Sequence, residues 1–310
     1  MGLRIRTNVA SLNAQRRLGQ TTESLGNSMN KLASGQRINK AADDAAGLAI
    51  SENLRADVRS LNQARRNASD GVSLVQTAEG GLEETTNMLV RLRELSVQSA
   101  SDTVGSTERG FLNQEFQALK SEIDRIANST EFNGTRLLTG STELAGDLAS
   151  DKSYPLEIQV SQDYYTGSDS LDAENPVNII RVDLQNLNAF SSGENSLNLD
   201  QSVAGDDISQ GIDGKKGAQL SIGRLDDALD KINGYRSYLG SIQNRLGSTI
   251  NNLGVQTENL DTARSRIRDT DFAAETAQFT QTKILQQAGT STLAQANQQP
   301  QIALNLLQSM

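Results

Sequence analysis

Residues 54–89 read LRADVRSLNQARRNASDGVSLVQTAEGGLEETTNML. Within them Leu54, Leu61, Ala68, Val75, Leu82 and Leu89 recur at intervals of seven, with Val58 and Val72 at intervening +4 positions. A repeat of 3.5 residues places these side chains on one seam of a helix, a seam that must be buried against a second helix. The second half of the chain repeats the pattern with Leu225, Ile232, Leu239, Leu246, Leu253, Leu260 and Ile267, joined by Ile222, Leu229 and Ile250. Each half therefore contributes one long rod.

The first rod extends from about Asp43 to Ser101, roughly 60 residues and about 90 Å at 1.5 Å per residue. Asp43 or Asp44 is its expected N-terminal cap. Gly71, Gly80 and Gly81 each weaken it by about 1 kcal/mol relative to Ala, a cost that a close approach of neighbouring backbone would offset. A third helix is expected between Ser106 and about Asn128, where Leu112, Phe116, Leu119, Ile123 and Ile126 alternate steps of four and three. Phe132-Asn133-Gly134 ends it with a turn.

The middle, about 141–215, differs in kind. It carries two of the three prolines and two stretches of period two: Leu156, Ile158, Val160, then Ile180, Val182, Leu184. These predict antiparallel strands, each with one face toward the helices. Between them, Asp163 to Pro176 holds Asp163, Asp169, Asp172 and Glu174 and reads as an exposed acidic loop. Its spacing does not meet the EF-hand pattern. The fold class is thus mainly α: a long antiparallel helical bundle or coiled coil with a small β-hairpin region in the middle of the chain.

The two ends carry thinner seams. Leu18, Leu25 and Leu32 are seven apart with Met29 between them; Phe272 and Phe279 are seven apart, and Leu304, Leu306 and Leu307 sit near the tip. Gln, Asn, Ser, Thr and Ala surround them. So narrow a seam buries too little apolar surface to offset about 1–2 kcal/mol per residue of backbone ordering. Residues 1–42 and 272–310 are therefore expected to be disordered in the monomer and helical against partner subunits. The rod domain is expected to span 43–140 with 216–271.

Composition narrows the chemistry. The 310 residues include no Cys, His or Trp, and 29 basic against 38 acidic side chains give a net charge of −9. Disulfides, thiolate nucleophiles, Ser-His-Asp triads and His- or Cys-ligated metal sites are excluded. No cofactor is expected. The acidic balance argues against nucleic acid, and no apolar run approaches the 18 residues of a membrane span. The N-terminal residues lack the apolar core of a cleavable secretory signal. With 5 Tyr, 6 Phe and 3 Pro, slender aliphatic seams in uninterrupted helices fit better than a wide core.

The segment Ile5-Arg6-Thr7-Asn8-Val9-Ala10-Ser11-Leu12-Asn13-Ala14, the run from Leu32 to Ile50 that contains Leu32-Ala33-Ser34-Gly35-Gln36-Arg37-Ile38-Asn39 and Asp43-Asp44-Ala45-Ala46-Gly47-Leu48, and Phe132-Asn133-Gly134-Thr135 closely resemble bacterial flagellin. So does the part after Ala218, including Arg266-Ile267-Arg268-Asp269-Thr270-Asp271 and Gln295-Ala296-Asn297-Gln298-Gln299-Pro300-Gln301. The likeness implies a structural, non-enzymatic subunit of the extracellular flagellar filament, exported unfolded and polymerising through its two ends. Leu18, Leu25, Met29, Leu32, Phe272, Phe279, Leu304, Leu306 and Leu307 would form the assembly seam. Only about 80 residues separate the helices, so large outer domains are not expected.

The resemblance further implies an export chaperone, filament cap proteins and a hook-associated junction protein as partners, and a host Toll-like receptor reading Arg91, Leu95 and Glu115. On the residues alone, Arg91 and Glu115 are a solvated ion pair worth about 0–1 kcal/mol. Leu304, Leu306 and Leu307 match leucines bound by the chaperone. The main alternative is a hook–filament junction protein, which shares such ends; a carboxylate enzyme and a cytosolic coiled-coil scaffold explain fewer features.

Overall fold

The structure is a computed structural model that describes residues 8–140, 156–162, 178–185, 187, 197, 199 and 211–308, with 299–308 described by backbone alone. Five helices and four short strands follow in order: α1 (Val9–Ser34), α2 (Ala45–Ala100), α3 (Ser106–Ser129), β1 (Glu131–Phe132), β2 (Thr135–Arg136), β3 (Leu156–Gln159), β4 (Ile179–Val182), α4 (Lys215–Arg268) and α5 (Phe272–Gln308). The mainly helical class expected from the repeats is observed. The expected acidic loop from Asp163 to Pro176 lies outside the described residues. The chain divides into two compact units, residues 59–257 and the two ends, 1–58 with 258–310.

In the 59–257 unit, α2, α3 and α4 share one core. Ala68, Val75, Leu82 and Leu89 from α2 and Leu225, Ile232, Leu239 and Leu246 from α4 are buried in it, as are Phe116 and Ile123 from α3. The seven-residue seams are therefore filled by aliphatic side chains from several directions, each fully buried Leu, Ile or Val contributing about 1.5–3 kcal/mol. Arg93 Nε donates to Asp226 Oδ1 at 2.6 Å, and Arg236 approaches Glu79 at 4.0 Å. These pairs run in opposite directions along the two helices, so α2 and α4 are antiparallel.

The expected turn is a two-residue hairpin loop. Asn133 and Gly134 adopt φ of 51° and 81°, the positive pair that a type I′ turn requires. It reverses the chain between β1 and β2 and delivers Leu137 and Leu138 to the core, both fully buried. The second hairpin pairs Leu156 with Val182 and Ile158 with Ile180, so the apolar residues of both strands share a face. The carbonyl of Asp183 accepts from Tyr235 Oη at 3.2 Å, and its amide donates to Tyr238 Oη at 3.0 Å. Thus the end of β4 is pinned to two stacked tyrosines of α4.

The glycines of α2 divide by what lies beside them. A Cβ on Gly81 would stand 2.7 Å from Thr130 Oγ1 and 2.9 Å from Leu138 Cδ1, whereas one on Gly80 would meet nothing within 4 Å. The close approach allowed by Gly81 is what lets the end of α3 and the first hairpin lie on α2. Urea unfolding should therefore give opposite signs for two adjacent substitutions. Gly80→Ala should stabilise by up to about 1 kcal/mol from helix propensity, while Gly81→Ala should lose that gain to overpacking and destabilise by about 1–2 kcal/mol.

Candidate functional site: the paired terminal helices

The unit built from the two ends begins with good local signals. Asn8 caps α1, its Oδ1 accepting from the Ser11 amide at 3.1 Å, and Gly35 ends the helix in the left-handed region at φ 69°. Asp44 caps α2 through the Gly47 amide at 2.9 Å. Asp43 accepts from the Asn39 and Lys40 amides, each at 3.0 Å, and these bonds hold its carboxyl below the usual carboxylate range. Asp271 caps α5 through the Ala273 amide at 2.9 Å.

The two connectors, 35–44 and 269–271, are tied together. The Arg37 amide donates to the Arg268 carbonyl at 2.7 Å, and the Thr270 amide donates to the Gly35 carbonyl at 3.0 Å. These bonds flank an antiparallel pairing of Gln36 with Asp269. Arg37 Nη2 donates to the Ile267 carbonyl at 2.7 Å, and Arg268 Nε to Gln36 Oε1 at 3.1 Å. Arg268, only 17% exposed, also pairs with Glu52, which Arg55 contacts from the next turn of α2. The Arg268 hydrogen bond is the main cause that holds the Glu52 carboxyl below its ordinary range.

From this joint α1 and α5 run antiparallel, so that Asn8 Nδ2 donates to the Ala296 carbonyl at 2.8 Å at the far end. The inward residues of α1 are Ser11, Ala14, Leu18, Thr21, Leu25, Ser28 and Leu32; those of α5 are Glu275, Phe279, Thr282, Gln286, Gly289, Leu293 and Ala296. Steps of three and four alternate along both, a heptad seam. Leu18, Leu25, Leu32 and Phe279 lie on it, half-buried, as the sequence suggested. Met29 and Phe272 do not: they are 62% and 57% exposed. Val9, Leu12, Ile284 and Leu285 are also more than half exposed. The small and polar half of the seam was missed because Ser, Thr and Gly carry no hydrophobic signal; only their place in the alternating steps of three and four around Leu18 and Phe279 marks them. The side chains of Leu304, Leu306 and Leu307 lie outside the described residues, in the last turns of α5.

The other sequence-derived group lies in the 59–257 unit. Arg91 Nη2 and Nε reach Glu115 Oε1 at 2.9 and 3.0 Å, and Nη1 reaches Glu94 at 3.0 Å. All three are exposed, so the network contributes little to stability. Leu95, by contrast, is 1% exposed and belongs to the core. The structure brings Arg91 and Glu115 together at the surface and turns Leu95 away from it.

A groove of about 580 Å³ lies between the second hairpin and α4, with Val160, Ile180 and Leu253 as apolar lining and Asn244, Arg245 and Gln256 among its polar groups. Among the described residues no cluster of three or more Asp, Glu, His or Cys could hold a metal ion, and no helix is long and apolar enough to cross a membrane.

A buried aliphatic bundle joined to a thin, partly exposed pair of terminal helices defines a structural protein of the helical, self-associating class. Residues 5–143 match the bacterial flagellin N-terminal helical region and residues 222–307 the bacterial flagellin C-terminal helical region; the chain belongs to the flagellin family. It is 41% identical over 304 residues to the flagellar filament 33 kDa core protein of Treponema phagedenis, covering 98% of this chain and 99% of that one. It is 40% identical to the flagellin of Bacillus subtilis over 311 residues, covering 98% and 100%. Among solved structures, a protein described as flagellar hook-associated from Vibrio parahaemolyticus has a TM-score of 0.55 over 73% of this chain and all of that one; at 12% identity it is a likeness of fold alone.

The joint yields a pH prediction. A carboxyl held below its ordinary pKa contributes stability that is complete above that ordinary value, about 4.3 for Glu, and disappears as pH falls through the lowered one. Glu52→Gln should lower the melting temperature at neutral pH and flatten its decline below about pH 4.3. Scanning calorimetry of both chains from neutral to acidic pH checks this, and parallel profiles would remove Glu52 from the account.

Proposed function

We propose that this chain is the repeating subunit of the bacterial flagellar filament, that it adds to the polymer through its paired terminal helices, and that it has no catalytic role. One observation carries the reading. The ends that match the family pair along a seam in which small and polar side chains alternate with Leu and Phe, while Val9, Leu12, Met29, Phe272, Ile284 and Leu285 remain exposed. Apolar side chains distributed around a thin helix pair gain burial only when further helices surround it.

An open polymer requires heterologous contacts that repeat without closing, and the ends supply surfaces of that kind. Because the pair alone buries little, its order is coupled to assembly, and residues 1–42 and 272–310 are largely unfolded in the free subunit. An unfolded end suits export through a narrow channel to the outside of the cell. Leu304, Leu306 and Leu307 then serve an export chaperone before they serve the filament, and cap and hook-associated junction proteins meet the same ends during growth. The Arg91–Glu115 pair is the surface offered to a host Toll-like receptor, with Leu95 holding α2 in place from the core side.

Purified chain added to short filament seeds should elongate them into long filaments seen by electron microscopy. A chain that only caps seeds would assign it to the hook–filament junction instead. Trypsin should remove roughly the first and last 40 residues of the free subunit rapidly and leave them intact in the filament, because cleavage follows local unfolding. Equal resistance in both forms would contradict coupled folding and assembly.

A further inference from the structure

Half of the seam positions of the two helices carry Ser, Ala, Thr or Gly, and both helices keep one heptad spacing throughout, so a shift of seven residues preserves the spacing and changes only the partners. Something must distinguish the correct pairing from its neighbours. Two contacts of the terminal pair can do so. A Cβ on Gly289 would stand 3.3 Å from Leu18 Cδ1, closer than ordinary van der Waals contact, so Leu18 sits most closely opposite a residue without a side chain and would have to shift by a few tenths of an ångström for any other. Nearer the helix ends, Ser11 Oγ, almost fully buried, donates to Asn297 Oδ1 at 2.7 Å.

A slip of one heptad along α5 replaces both partners. Leu18 would then face Thr282 or Ala296, each with a Cβ, and Ser11 would face Thr290 or Leu304. Glycine inside a helix is costly, and Gly289 offsets that cost with a close contact that Gly19 and Gly26 of α1 lack, since a Cβ on either meets nothing within 4 Å. The same alignment is set independently at the joint, where Gln36 pairs with Asp269.

We infer that Leu18 against Gly289 and Ser11 against Asn297 hold, along the length of the terminal helix pair, the register that the joint starts, and that filament growth requires this register. The inference rests on the filament reading and specifies the contacts that reading uses. Leu18 acts as a knob, Gly289 as its hole, and the Ser11–Asn297 hydrogen bond as a polar key that hydrophobic burial could not replace.

The absence of native cysteine makes the register directly measurable. Ser11→Cys with Asn297→Cys, oxidised within filaments, should give a disulfide at monomer mass; Ser11→Cys with Thr290→Cys, which reports the slipped pairing, should not. Gly289→Val in the first pair should abolish that preference and slow seeded elongation by about tenfold or more, the rate equivalent of overpacking one buried site. Leu18→Ala added to Gly289→Val should restore much of both. Gly289→Val filaments that grow at the wild-type rate with the disulfide of the first pair still formed would overturn the inference, as would a failure of Leu18→Ala to rescue when the melting of the rod is unchanged. If the unmodified chain does not elongate seeds, the filament reading fails instead, and the same crosslinks in the free chain still decide the register.

Discussion

A helix with apolar residues every three and a half positions is unstable in water until that seam is covered, and the covering available differs along this chain. In the 59–257 unit the seam positions are Leu, Ile and Val, and three helices with a hairpin enclose them from several sides. In the unit formed by the ends the same spacing persists, yet Ser11, Ala14, Thr21 and Ser28 alternate with three leucines, and Thr282 and Gly289 stand among the opposing residues. The difference is one of composition at fixed geometry. A methylene buried is worth about 0.8 kcal/mol, so replacing Leu by Ser or Ala at alternate seam positions removes most of the drive to pair while leaving the geometry of pairing intact.

The joint between connectors explains how so weak a pair is aligned at all. α1 and α5 are separated by more than two hundred residues, and closing so large a loop through a few marginal contacts is entropically unfavourable. Arg268, Gln36 and Glu52 hold the start of α5 beside the end of α1, so that with the joint formed the seam begins between neighbouring helix ends. Each later contact then closes only a few residues. The polar character of the joint is consistent with that role, since backbone bonds such as Arg37 to Arg268 fix direction and offset, which an apolar contact would leave free to slide.

Much of this was legible before the structure. The expected bounds of α2 and α3 fall within two residues of those observed, because caps and turns mark them: Asp44 before α2 and Asn133-Gly134 after α3. The strands were found from period-two alternation, and their register places Leu156 and Ile158 opposite Val182 and Ile180. The site was legible only in part. Leu18, Leu25 and Leu32 announced a seam, but Gly289, Ser11 and Asn297 are silent in a hydrophobicity pattern, and Met29 and Phe272, expected to serve assembly, lie outside the contact between α1 and α5. Leu95, which the family resemblance groups with Arg91 and Glu115, is directed into the core, as its membership in the i, i+3 series with Leu92 requires.

The exposure of Met29 and Phe272 has a physical cause. Sequence periodicity identifies the apolar residues of a helix, but it does not identify which of two surfaces they cover when the helix has more apolar residues than one partner can bury. In α2 there is no ambiguity, because its outward positions are mostly charged or polar and a single stripe remains. In α1 and α5, apolar residues occur on more than one face, so the partner that buries Leu18 cannot also bury Leu12 and Met29. A helix pair with apolar residues on several faces buries one of them in its own contact, and the others gain burial only where further helices surround the pair.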